Sequence, residues 1–116
     1  MYVDFLNDIL ESIEKIELFT EGMDFEQFKN DDKTTYAVIR AFEIIGEAAK
    51  EIPTEIKEKY PKVPWKEMGS MRDKLIHAYF GIDLEVVWRT IHEDITELKP
   101  LIKEVVKKKQ ENKITT

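Results

Sequence analysis

Apolar residues return every three or four positions along almost the whole chain, a period that suits a helix and not a strand. Leu6, Ile9, Ile13 and Ile16 draw one stripe over residues 3–20, and Gly22 is expected to end it. Positions 38, 42, 45, 49 and 52 draw a second between Thr34 and Ile52, which Ala37, Ala41, Ile44 and Ala48 widen to nearly half the cylinder. Leu84, Val87 or Trp88, Ile91, Ile95, Leu98, Ile102 and Val105 carry the longest stripe, with Asp83 as its cap and Pro100 as its expected bend. No run alternates with period two, so a sheet has nothing to be built from.

The remaining segments are shorter. "DFEQFK" suits a single helical turn, and a short helix is expected after Pro53, where proline fits a first turn. Pro61 and Pro64 make the next stretch an irregular connector, with Trp65 sealing the core beneath it. Ser70 followed by Asp73 reads as a capping box, so a helix is expected from Met71 to about Ala78, ending before Gly81. Gly46, inside the second stripe, costs about 1 kcal/mol against alanine and suggests a neighbouring helix close by. The expected fold is all-α: an antiparallel up-and-down bundle of four main helices plus short ones. Residues 1–106 would form the domain, and the lysine-rich residues 107–116 a frayed tail.

At 116 residues the chain is one domain with room for a single site. It has no cysteine, which removes disulfides, thiolate metal ligands and cysteine nucleophiles. His77 and His92 are its only histidines and no ligand cluster surrounds them, so neither a metal nor a cofactor is expected. Its four glycines stand apart, so there is no phosphate loop. The acidic, amphipathic start is unlike a signal peptide, and no apolar run approaches the ~20 residues of a membrane span. A cytoplasmic protein is expected. The net charge of −6 is unevenly spread: eight acids and two lysines lie in residues 1–30, six lysines and two glutamates in residues 99–116. An anionic ligand would need a local patch to hold it.

The chemistry gathers in "MRDKLIHAYFGID", residues 71–83. Arginine offers a planar fork of donors for a phosphate, and histidine can take or give a proton near neutrality. The pair suffices to cleave a phosphodiester that carries its own nucleophile, as RNA does in its 2′-hydroxyl. At 100° per residue Arg72 and His77 lie about 140° apart, so two protomers about a two-fold axis would be needed to complete one cleft. The plainer reading is a solvated helix face with a tyrosine at the core edge. Glu43 and Glu47, with Arg40 and Lys50 nearby, suit an exposed ion-pair face. His92 suits a structural or solvated place, and Trp65 and Trp88 suit core anchors.

Arg72, four residues, His77, one residue and Tyr79 spell R-x4-H-x-Y, and the chain thereby resembles the HepT-like toxins of the HEPN superfamily. "FEIIGEAAKEIP", "VPWKEMGSMRDKLIHAYFGID" and "VWRTIHEDITELKPLI" extend the likeness over roughly residues 4–102. The resemblance implies a HEPN-like bundle that dimerises, or forms a higher even-numbered oligomer, about the motif helix. It implies metal-independent RNA cleavage, with His77 handling protons and Arg72 stabilising the phosphorane-like transition state. Tyr79 matches the tyrosine that an MntA-type nucleotidyltransferase antitoxin modifies with AMP. Asp73, Lys74 and Glu47 are candidates to support the pair, Glu47 by orienting Arg72. The rival is a non-catalytic nucleotide- or RNA-binding module that partners a separate nucleotidyltransferase.

Overall fold

The computed structural model describes the backbone of residues 2–77 and 83–115, with side chains at all of these except 72, 74–77 and 110–115. Its elements are α1 (Tyr2–Thr20), α2 (Phe25–Lys29), α3 (Asp32–Glu51), α4 (Thr54–Lys59), α5 (Trp65–His77), α6 (Leu84–Thr90), a π-helical turn (Ile91–Ile95) and α7 (Thr96–Thr115). No strand occurs among the described residues. The fold is an all-α helical bundle.

Local chemistry sets most boundaries. Gly22 takes φ +76° beyond α1, a left-handed backbone open to glycine at little cost. Asp24 caps α2 reciprocally: its Oδ1 accepts from Gln27 N at 2.8 Å while its own N–H donates to Gln27 Oε1 at 2.9 Å. Asp31 caps α3 by accepting from Thr34 N, and Asp83 caps α6 by accepting from Glu85 N and Val86 N.

Packing follows the stripes. α3 is the shared element, flanked by α1 and α5, while α7 closes against α1. Leu6, Ile9, Ile13 and Ile16 of α1, Val38, Phe42 and Ile45 of α3, and Val87, Ile95 and Ile102 of the last stripe are almost wholly buried. Trp65 and Met68 add the start of α5 to this core, and the Trp65 indole N–H donates to Tyr60 O at 3.1 Å. Trp88 is half-buried against Phe28, ring centroids 5.1 Å apart.

One expectation needs correction. The motif helix begins at Trp65, not Met71: the Pro64 carbonyl already accepts Met68 N at 3.0 Å, and proline suits a helix start because it lacks the N–H a first turn leaves unused. The Ser70 hydroxyl accordingly donates back to Glu67 O at 3.1 Å instead of capping. Further along, the helix continues through Pro100, and a π-helical turn lies before it at residues 91–95. Pro100 is exposed, so the Thr96 carbonyl that it leaves without a donor can turn to water. The segment beyond Lys107 continues α7 to Thr115. It holds strong helix formers and no breaker, and Lys108 pairs with Glu104 at 3.2 Å one turn back.

Candidate functional site

α5 carries Arg72, Asp73, Lys74 and His77; the side chains of Arg72, Lys74 and His77, and all of Tyr79, lie outside the described residues. The helix backbone still fixes where each position stands. Trp65, Met68 and Gly69 are buried and mark the arc turned to the core. Position 72 follows them at steps of seven, four and three, so it stands on that same arc. Position 77 stands about 140° away, in line with Lys66, Ser70 and Asp73.

The approach of α5 to α3 is measured at Gly69, where an added Cβ would come within 3.3 Å of Lys50 Cγ. One turn further on, Lys50 Nζ meets Asp73 Oδ2 at 3.8 Å, both side chains about half exposed. Asp73, expected to cap a helix or support the working pair, is thus a partner of Lys50. Glu47 lies one turn before Lys50 on α3, exposed, and lines a hollow with Phe5 and Asp8 of α1. On the turn before that, Arg40 pairs with Glu43 at 3.3 Å, as an ion-pair face requires. Lys50 is the member of this group that sequence did not assign to the motif, because 23 residues separate it from Asp73 and no local pattern links them.

The other flank of α5 is open. A groove of about 380 Å³ runs past Pro64, Met68 and Met71 to Ile95, Leu98 and Leu101. Glu67, Met71 and Asp94 continue it into a second hollow of about 230 Å³ beside Phe42 and Val86. Met71 therefore stands on the wall of an apolar trough, next in sequence to Arg72. His92 is exposed and sits edge-on to Trp88 with ring centroids 4.3 Å apart, a packing role. Among the described residues no group of three or more histidine or carboxylate side chains is placed to hold a metal ion.

Comparison with known proteins decides the family. The model of the family described as ribonuclease HepT-like matches residues 9–105. The chain belongs to this HepT-like family. A protein of Thermococcus cleftensis named "Probable ribonuclease HepT" is 59% identical over 96 residues, which cover 83% of this chain and 87% of the relative. A provisionally named RNase of Methanocaldococcus jannaschii is 50% identical over 107 residues, 92% of each chain. A longer protein of the same organism, named for a gamma-glutamylcyclotransferase and an RNase, is 46% identical over 109 residues that make up 49% of it. No solved structure matches. HepT-like membership and the RNase names of the relatives make this an RNase-like chain, and no described helix is long and apolar enough to cross a membrane.

Proposed function

We propose that this HepT-like chain is the toxin of a toxin–antitoxin pair: a cytoplasmic, metal-independent endoribonuclease that works as a dimer and is silenced by AMP transfer to Tyr79. The observation that carries the reading is the intact Arg72, His77 and Tyr79 spacing within a chain whose family model is that of a ribonuclease.

RNA supplies its own nucleophile. As the 2′-oxygen attacks phosphorus, the bond to the 5′-oxygen breaks, leaving a cyclic 2′,3′-phosphate and a free 5′-hydroxyl. One proton must leave the 2′-hydroxyl and one must reach the departing oxygen. His77 of one protomer, set against Arg72 of the other, can serve the two transfers in turn, taking the first proton and giving the second. Arg72 neutralises the charge gathering on the phosphoryl oxygens. Glu47 is assigned to orient that guanidinium, and Asp73 and Lys74 to border the cleft. The apolar trough along Met71, Leu98 and Leu101 supports the dimer, since it offers a second copy a face to cover next to the motif.

Silencing follows from the same charges. The Tyr79 phenol attacks the α-phosphorus of ATP in the partner nucleotidyltransferase, pyrophosphate leaves and the phenolic proton is lost. The bound AMP then sets an anion beside Arg72 and His77.

The test is cleavage of RNA by unmodified protein in the presence of a chelator. Wild type should cut, and Arg72→Ala or His77→Ala should lose about a hundredfold or more. If wild type binds RNA and leaves it intact, the chain is a binding module instead. Intact mass after co-expression with the nucleotidyltransferase should show added AMP that disappears in Tyr79→Phe.

A further inference from the structure

One end of the bundle gathers tyrosines and lysines that sequence order keeps far apart. Lys59 Nζ lies 5.8 Å from the Tyr60 ring centroid, and Lys108 Nζ of α7 lies 5.7 Å from the same ring. Lys109 Nζ lies 4.9 Å from the ring of Tyr2. Tyr2, Ile56, Lys59, Tyr60, Val105 and Lys109 meet along a seam of only about 20 Å³, too closed to be a pocket, so its rings and ammonium groups form a surface. Both rings are half-buried and keep part of their area open, while Lys59, Lys62 and Lys108 are exposed.

We propose that this end of the bundle is a second contact for single-stranded RNA, which holds the strand on its way to α5; the choice of RNA rests on the ribonuclease reading above. The chemistry is that of a strand: ammonium groups meet phosphates, and a tyrosine face between them can stack a base. Lys59, Lys108 and Lys109 stand there, Lys108 paired with Glu104. Three ammonium groups thus gather at one seam of a chain whose net charge is −6.

The patch is also joined to the motif helix. The Tyr60 carbonyl accepts the indole N–H of Trp65, the first residue of α5, so the backbone that carries the ring is tied to that helix. Lys66 follows at once, exposed, on the line of α5 that leads through Ser70 and Asp73 to position 77. Eleven residues at 1.5 Å make that line about 16 Å long, a span of a few nucleotides. A strand stacked on Tyr60 can therefore pass Lys66 and reach the motif.

The experiment measures binding of 2′-O-methyl oligonucleotides, which lack the attacking hydroxyl, to the full chain by fluorescence anisotropy in chelator. A 12-mer should bind at least tenfold more weakly to the Lys59→Ser, Lys108→Ser, Lys109→Ser variant, with a salt slope smaller by about two. A 4-mer should change less than twofold. Tyr60→Leu should weaken the 12-mer about fivefold and Tyr60→Phe should restore it, with melting temperatures confirming folded protein in each case. With cleavable RNA, the triple-lysine variant should raise KM for the 12-mer and leave kcat unchanged. Equal 12-mer binding by wild type and the lysine variant overturns the proposal, as does a surface that takes an acidic peptide but not the RNA. Lysine-dependent binding of a 12-mer that is never cut keeps this surface and sinks the ribonuclease reading; cleavage with unaltered KM does the reverse.

Discussion

Gly22 and Asp31 show how single residues set the frame that presents the motif. At φ +76° Gly22 is open, with nothing within 4 Å of an added Cβ, so Gly22→Ala meets backbone strain alone. It should cost about 1–2 kcal/mol, read as a shift in the denaturant midpoint at unchanged slope. Asp31 accepts hydrogen bonds from Thr34, first of all from its backbone N–H, and these hold its pKa below the usual 3.8. A carboxyl with a lowered folded pKa stabilises the fold above its unfolded value and loses that contribution as pH falls through the folded one. Asp31→Asn keeps a cap and abolishes the titration. Its melting temperature should therefore fall less than that of wild type on acidification below pH 3.8.

Among the elements, α3 bears most because it is packed on both flanks. Ile45 is fully buried there, and Ile45→Ala should cost about 2–5 kcal/mol in equilibrium unfolding, the range set by how far the site collapses. α7 is tied to α1 by Lys99, whose Nζ donates to Glu17 Oε1 at 2.7 Å. That hydrogen bond raises the Lys99 pKa above 10.5, with the charges of Glu17 and Glu14 adding to it. The tie is fully present below pH 10.5 and is lost as pH rises through the raised folded value. Both partners are solvated, so Glu17→Gln should cost under about 1 kcal/mol, with the difference vanishing at high pH. α5 was the element least legible from sequence. Ser70 and Asp73 make a sound local cap pattern, yet helix is already under way from Trp65, because a buried indole bonded to Tyr60 O fixes an earlier start.

Across the whole molecule, the proposed cleft needs two copies, because positions 72 and 77 stand about 140° apart around one helix. Activity per chain should then fall on dilution, in step with dissociation followed by light scattering. An equimolar mixture of Arg72→Ala and His77→Ala chains should recover cleavage that neither shows alone, because a mixed pair still holds one arginine and one histidine. Recovery absent in a mixture proven to exchange subunits would count against a shared cleft.

Apolar spacing alone determined that the chain is helical, which faces turn inward and where α1, α2, α3 and α4 lie, since these follow from a 3.6-residue period and from local caps. The motif was equally legible, being a matter of spacing along one segment. Tertiary structure alone decided that Lys50 meets Asp73, that α5 leaves an apolar trough on one flank, and that Lys108 and Lys109 come to rest on Tyr60 and Tyr2. Those neighbours are brought together by the packing of separate helices, and no local pattern in the sequence records which helix lies beside which.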